Sequence, residues 1–439
     1  MTLGWPEAGA GEGLGERIRR LRVARGWTQR ELAEPEYNRG FLAKVESGQR
    51  SPSEEVLGYL ARRLDLDVDD LRYGRPPGLA EAMWAELDEA YRSLAQGRIE
   101  RAEATFVDVE TRAARFHLPG VECYARFCLA EARWQRFDIA GATVGFEHAE
   151  RVAAAAPPWL RAMIVHRWAG CQYLSGFATT AVARVEGALS ELRAGDRPDP
   201  DAELALLTAL IHPLVEMGDL RRARRAAEAG DRIAPAANRA DFVARFHRQA
   251  AQLWQAVGHA DRADADLSEA LRLWSALGFD RDIARCRWAR GFLLREVGRL
   301  DEAHAELTRA RDLLAGMDSQ EGVIGATIEL AEVRRRQGAL DEAEALIREI
   351  RPLLEASPDV EARAEATRLL GLLARARGDL PRAEALLRRA AEDQERAALR
   401  TALVTTSLHL GDVLRAQGRL DDAVAAYRRG VRGADLLSE

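Results

Sequence analysis

Four short stretches decide the fold: GRLDEA at 298–303, GALDEA at 338–343, GDLPRA at 378–383 and GRLDDA at 418–423. The same G-x-L-x-x-A pattern begins at Gly97, Gly218 and Gly258, and in degenerate form at Phe137 and Gly176, so nine anchors follow one another at intervals of 39 to 42 residues. Five residues after every anchor stands alanine: Ala102, Ala142, Ala181, Ala223, Ala263, Ala303, Ala343, Ala383 and Ala423. Seven residues before it stands a small residue, as in Ala90, Ala130, Ala169, Ala251, Gly291, Ala331, Gly371 and Gly411, with Ile211 the exception. Nine residues after it the side chain is apolar, as in Phe106, Phe146, Leu267, Leu307 and Tyr427.

A repeat of this length with these small positions predicts stacked helical hairpins. The anchor glycine ends one helix in the left-handed region, the polar turn starts the next, and the small residues on either side let two backbones approach. A hairpin of this size cannot bury its apolar face alone and must stack on its neighbours. Nine such units fill residues 79–439 and leave no room for a separate catalytic domain. Composition agrees: aromatic residues are 6% of the 439, hydrophobic residues 47% and charged residues 31%, with the helix formers Ala, Leu, Arg and Glu dominant. The expected class is all-α: a right-handed solenoid of about nine hairpins behind a small N-terminal module. The pattern of small residues, Gly, Leu, Ala and aromatics resembles tetratricopeptide repeats of the longer kind found in bacterial regulators.

The net charge is -6, yet Arg17 to Arg50 holds nine basic residues against four acidic ones. One basic segment in an acidic chain points to an anionic partner for that segment. Residues 14–73 read as five short helices. The first runs from Leu14 to Arg25 and stops at Gly26. Thr28 caps the second, Gln29–Glu34, with Glu31 completing a capping box, and Pro35 ends it. Asn38 caps the third, Arg39–Ser47, with Tyr37 and Leu42 placed for a hydrophobic staple. Ser53 caps a fourth running through Leu64, and Asp67 opens the last turn to Tyr73. Residues 1–13, rich in Gly and Ala, read as a disordered tail, and residues 74–78 as a stiff linker to the array at 79–439.

The string RIRRLRVARGWTQRELAE (17–34), followed by NRGFLAKVESGQRSPS (38–53), resembles the Xre/Cro/phage-repressor class of helix-turn-helix domains, five-helix and lambda-repressor-like. That resemblance implies binding to double-stranded DNA, with the third helix in the major groove. It places Thr28 and Gln29 at a phosphate, Asn38, Arg39 and Gly40 at base edges, Lys44 at a base or phosphate, and Arg50 at flanking phosphates. It makes Arg22 and Glu46 an internal ion pair. The turn Pro35–Asn38 departs from the family in being about one residue short and in lacking its usual glycine.

Taking the first helix of each hairpin as the groove-lining one gives two chemistries. The first three units contribute Trp84, Tyr91, Tyr124, Phe127, Trp134, His166 and Tyr173. The later units contribute Arg245, Arg248, Gln252, Gln255, Arg285, Trp288, Arg295, Arg335, Arg368, Arg375 and Arg415, with Glu296, Glu332 and Asp412 among them. An aromatic half followed by an arginine-rich half suits an extended oligopeptide with apolar side chains and a carboxylate. Aromatics at helical spacing equally suit packing between repeats. Helix-turn-helix plus such an array resembles the peptide-responsive quorum-sensing regulators of bacteria, the RRNPP group. That group clamps peptide backbones with asparagines, whereas this chain has only Asn38 and Asn238.

These readings lead to a sequence-specific transcriptional regulator, a homodimer on a pseudo-palindromic operator, whose array binds a peptide or protein effector. The competing reading is a repeat-protein adaptor with subordinate DNA binding. No P-loop is possible, since Lys44 is the only lysine, and HExxH and G-x-S-x-G are absent, so no enzymatic activity is expected. No metal site or cofactor is expected either: Cys123, Cys128, Cys171 and Cys286 form no CxxC pair and read as buried reduced thiols. With no apolar run of membrane-spanning length and no signal-like start, a cytoplasmic location is expected.

Overall fold

The computed structural model describes residues 12–195, 197–317, 319–397 and 399–435, with side chains through Val431. The tail foreseen at 1–13 thus lies mostly outside the described residues. Its last two residues do not: Glu12 pairs with Arg20 at 2.6 Å and Gly13 precedes the first helix. Every regular element among the described residues is helical. They fall into two compact units, the first holding the described residues up to 94 with 99–184, the second residues 95–98 with those from 185 onward.

The first unit opens with five helices, α1 (Leu14–Ala24), α2 (Gln29–Ala33), α3 (Arg39–Glu46), α4 (Glu54–Arg63) and α5 (Val68–Tyr73). Their ends follow the capping residues. The Thr28 hydroxyl accepts from Glu31 N while the Glu31 carboxylate accepts from Thr28 N; Asn38 Oδ1 accepts from Phe41 N at 2.9 Å; Ser53 Oγ accepts from Val56 N. Ile18, Leu21, Leu32, Leu42, Val45, Leu60, Leu64 and Leu71 form one core. Tyr37 stacks on Phe41 at 5.1 Å and meets Tyr59 edge-on at 5.2 Å, so the aromatic Phe41 partners it where Leu42 was expected. The Tyr59 hydroxyl donates to the carbonyls of Ala33 and Glu34 and so holds the shortened turn after α2.

The unit continues with hairpins α6/α7 (Leu79–Ala95, Ile99–Arg115), α8/α9 (Pro119–Gln135, Ile139–Arg151) and α10/α11 (Pro158–Leu174, Ala178–Ala194), the last helix crossing into the second unit. The second unit holds α12/α13 (Pro200–Glu216, Leu220–Ile233), α14/α15 (Ala240–Ala256, Ala260–Leu277), α16/α17 (Asp280–Glu296, Leu300–Gly316), α18 (Gln320–Arg336) with α19 (Leu340–Glu349) and α20 (Arg351–Ala356), α21/α22 (Val360–Ala376, Leu380–Arg396) and α23/α24 (Arg400–Ala416, Leu420–Asp435). The described residues therefore make nine hairpins, as the repeat count predicts. In the seventh the second helix is broken at Ile350, because Pro352 has no N–H to continue the ladder.

The anchor positions do what the pattern requires. All nine have positive φ, from 62° at Phe137 to 88° at Gly176. All nine alanines five residues on are buried, at 0–2% exposure. The small residue before the anchor receives the large one after it: a methyl on Gly291 would stand 2.5 Å from Leu307 Cγ, one on Gly371 2.9 Å from Leu387 Cγ, and Tyr427 lies over Gly411 in the same relation. Interiors packed at crystal density leave no slack for that extra atom.

Candidate nucleic-acid interface and effector site

Helix α3 is amphipathic in a way that sorts structure from function. Leu42, Val45 and Glu46 are buried, while Asn38, Arg39, Gly40 and Lys44 are exposed, and positions one turn apart share a face. The inner side is locked by charge. Arg22 Nε and Nη2 donate to the two oxygens of Glu46 at 2.6 and 3.0 Å, and Arg22 Nη1 donates to Trp27 O at 2.7 Å. The fork keeps the guanidinium above even its usual high range, the hydrogen bond to Glu46 outweighing burial. The expected internal pair is therefore present, and it ties α1 to the end of α3.

Two of these side chains have partners inside the module. Gln29 was assigned to a phosphate, but its Nε2 donates to Glu46 Oε2 at 2.9 Å, extending the ion pair and bracing α2 against α3. Asn38 spends its carbonyl on the helix cap, leaving its amide nitrogen for other partners. Thr28 is engaged by the capping box. Arg50 lies over the Phe41 ring with its guanidinium carbon 4.8 Å from the centroid, at the rim of the same exposed face.

The joint between this module and the first hairpins has almost no signature in the sequence. Arg75, placed in a linker, donates from Nε to Phe116 O at 2.7 Å and from Nη2 to His117 O. Tyr73 lies against the His117 ring at 4.3 Å, and Arg75 covers the other aromatic contact, 5.0 Å from the Tyr73 centroid. His117 itself has φ of 53°, an uncommon conformation for a residue with a Cβ. The only sequence signal was an Arg-Pro-Pro segment, which reads as stiffness and says nothing of docking.

Three of the seven candidates of the first unit are buried. Tyr124 and Phe127, expected as effector contacts, are 2% and 3% exposed. Tyr124 stacks on Trp84 at 5.0 Å and donates to Asp88 at 2.9 Å; Phe127 meets Phe146 at 5.7 Å. Both belong to the inter-helix core, which corrects their assignment, and His166 is buried as well. Trp84, Tyr91, Trp134 and Tyr173 keep partial exposure. Tyr91 donates to Glu131 at 3.2 Å, and the same carboxylate takes Arg167 at 2.6 Å. Trp159, absent from the expected set, stands edge-on to both Trp84 and Tyr124.

In the second unit Trp288 is likewise structural: its ring occupies the space over Gly325 of the next repeat. The arginines divide into two groups. From the end of α16 onward they are neutralised. Arg295 pairs with Glu329 at 2.6 Å, Arg335 with Glu332 at 2.7 Å, Arg368 with Glu365 and Arg375 with Asp412 at 3.3 Å. Burial raises the Glu332 carboxyl, but hydrogen bonds and charge from Arg335 and Arg336 outweigh it and hold the group at about 2. Arg245 and Arg248 stand on α14 beside Gln252, with Arg245 buried, and Arg285 stands near the start of α16.

All four cysteines are buried. Burial pushes the thiols of Cys123 and Cys286 up to about 12 and that of Cys171 to about 11, so these three carry no thiolate at neutral pH. Among the described residues no three His, Cys, Asp or Glu side chains converge as metal ligands, and no helix is long and apolar enough to cross a membrane.

Comparison with known proteins agrees with this division. A model of the helix-turn-helix domain matches residues 13–73, and a tetratricopeptide-repeat model matches residues 323–396. No curated protein sequence matches the chain. Among solved structures, a Rap protein complexed with Competence and Sporulation Factor shares 15% identity, covering 82% of this chain and 99% of its own, at a TM-score of 0.56. The apo form of RapI gives 15% identity, 81% and 98% coverage and 0.55. The apo quorum sensor NprR from B. thuringiensis gives 14% identity, 81% and 99% coverage and 0.52. At such identities the likeness is one of fold. This chain is a helix-turn-helix module followed by a tetratricopeptide-type array, with the overall fold of the Rap and NprR solenoids.

Proposed function

We propose that the protein is a sequence-specific DNA-binding transcriptional regulator whose repeat array binds an effector, a short peptide, that modulates operator binding. The observation that carries the reading is the exposed face of α3. Asn38, Arg39, Gly40 and Lys44 share it, free of the core, on a module braced behind by the Arg22–Glu46–Gln29 network. A positively charged helix so presented fits the major groove, with Arg39 suited to bidentate readout of guanine and Lys44 and Arg50 to phosphates. A homodimer on a pseudo-palindromic site would place its half-sites about one duplex turn, ~34 Å, or a multiple apart.

The joint at Tyr73, Arg75 and His117 supports the coupling half of the reading. Hydrogen bonds and ring stacking fix the module on the α7–α8 turn, so displacement of those helices would move the module with them. Effector binding then biases the equilibrium between DNA-competent and incompetent arrangements. That NprR is called a quorum sensor, and that a Rap protein is found complexed with Competence and Sporulation Factor, is in keeping with a sensor role for the array.

Fluorescence anisotropy against the duplex upstream of the protein's own gene, at two salt concentrations, tests this. Binding should weaken with salt, because Lys and Arg contacts release counterions. Arg39→Ala should lose about 1–3 kcal/mol of specific affinity without loss of helicity. Unchanged affinity in the variant would reject α3 as the reading helix. A wild-type protein that binds no duplex in the presence of its peptide would leave the adaptor role instead.

A further inference from the structure

A cavity of about 400 Å³ lies between α19–α20, α21 and α22, beside the break at Ile350. That volume falls within the range of small-molecule sites, roughly 300–1,000 Å³. Both pieces of the broken helix border it, α19 through Ile347 and Arg348 and α20 through Arg351 and Leu354. Its α21 wall is Arg363, Ala366, Thr367 and Leu370. At 3.6 residues per turn these stand on the opposite side of α21 from Arg368 and Arg375, so the cavity lies off the face that carries the groove candidates.

The repeat register shows why the space is open here. Eleven and eight residues before the anchor, and eight after it, the sixth hairpin has Arg287, Arg290 and Glu306. Both arginines pair with that carboxylate, at 2.8 and 3.1 Å. In the fifth hairpin His247 and Asp266 hold the first and last of these positions and lie 2.6 Å apart. The eighth has Thr367, Leu370 and Leu386 instead, with no charge to bridge the seam. The seventh carries the same residue types, Thr327, Leu330 and Leu346, but against the unbroken α17, and Leu330 is 3% exposed. Against the broken helix its counterpart Leu370 stays partly exposed. The floor of the cavity is thus aliphatic: Ile347, Leu354, Ala366, Leu370 and Leu386.

The rim is cationic. Its carboxylates are already taken: Glu355 by Arg351 at 2.9 Å, Glu344 by Arg377 and Arg382 at 2.6 and 3.0 Å, and Asp393 by Arg396 at 3.0 Å. Arg363 donates to the Ser357 carbonyl, which carries no charge to offset its own. Arg348 on α19 and Arg389 on α22 are exposed and make no ion pair or hydrogen bond among the described residues. Three helices therefore each bring one uncompensated guanidinium to the same apolar cavity.

We infer that this cavity binds a small amphiphilic anion, an aliphatic chain ending in a carboxylate or a phosphate. The chain leaves water for the Leu370–Leu386 floor, and the head group meets the guanidinium forks of Arg348, Arg363 and Arg389. The site goes beyond the peptide-sensing reading and does not rest on it.

Isothermal titration calorimetry on the full chain, without DNA, tests it with octanoate, octyl phosphate and octan-1-ol, each below its micellar concentration. One of the two anions should bind saturably at one site per chain, the tighter of them identifying the head group. Octan-1-ol, with the same chain and no charge, should bind weaker by about tenfold or more. The double variant Arg348→Gln, Arg389→Gln should weaken anion binding to a similar degree and keep the wild-type melting temperature, since both side chains are exposed. Leu370→Trp should fill the floor and abolish binding. Arg388→Gln, which removes a neighbouring charge on α22 outside the cavity, should bind as wild type does. No saturable binding of either anion, octan-1-ol binding as tightly as the anions, undiminished binding in the double variant or in a folded Leu370→Trp, or an equal loss in Arg388→Gln would each overturn the site.

Discussion

Glu332 illustrates how single side chains are set in the array. It is buried on α18 with Arg335 Nε at 2.7 Å and Arg336 Nε at 2.9 Å, and its folded pKa near 2 lies below the usual carboxylate value. A depressed acid contributes stability that is fully present above its unfolded pKa and is lost as pH falls through the folded one. The relevant window therefore runs from about pH 4.5 down to about 2. Glu332→Gln should cost on the order of 2–3 kcal/mol at pH 7, a difference that narrows through this window. Denaturant unfolding at pH 7, 4.5 and 2.5 checks it, and parallel losses at all three values would mean that charge pairing is not the source. At the same scale, the exposed places of Arg39 and Lys44 on α3 were legible from sequence, because the cap at Asn38 fixes the helix register. The Gln29–Glu46 bond was not legible, because Glu46 is distant in sequence and adjacent only once α2 and α3 have packed.

At the scale of the helix, termination is the recurring event. Eight anchors are glycine and one is Phe137, all with positive φ. A residue with a Cβ is strained there by roughly 1 kcal/mol, and Phe137 recovers little by burial, being 75% exposed. Phe137→Gly should therefore raise stability by about 0.5–1 kcal/mol, whereas Gly338→Ala, at φ 81°, should lower it by about 1 kcal/mol. Thermal melts of the two variants measure both signs, and a lower melting temperature for Phe137→Gly would show that the exposed ring has a stabilising contact. The helix caps were equally legible, since Thr28, Asn38 and Ser53 each satisfy the N–H three residues ahead. The break at Ile350 was not foreseen, although Pro352 supplied the signal.

At the scale of the molecule, the proposed regulation depends on how the helix-turn-helix module is carried. Arg75 does this with two carbonyls at the α7–α8 turn, assisted by the Tyr73–His117 stack. Arg75→Ala should leave the module folded, because its core of Ile18, Leu21, Leu42 and Leu60 is independent of that side chain. Hydrogen exchange should accelerate in α5 and residues 75–78 and remain unchanged in α14 to α18. The response of operator affinity to effector should shrink in parallel. Unaltered exchange at α5 would place the joint elsewhere.

The chain by itself determined the number and boundaries of the repeats, the helix-turn-helix register and the chemistry on α3. Each is encoded locally, by a glycine that takes the turn without strain, an alanine small enough for the seam, or a cap that acts within four residues. Tertiary structure decided which of the chemically similar side chains remain available. Tyr124, Phe127 and Trp288 became core because the next helix fills the space over them. Arg295 and Arg375 were neutralised by carboxylates of the next repeat, while Arg245 was buried without one. Burial and charge compensation depend on neighbours as much as forty residues away, and a helical period carries no record of them.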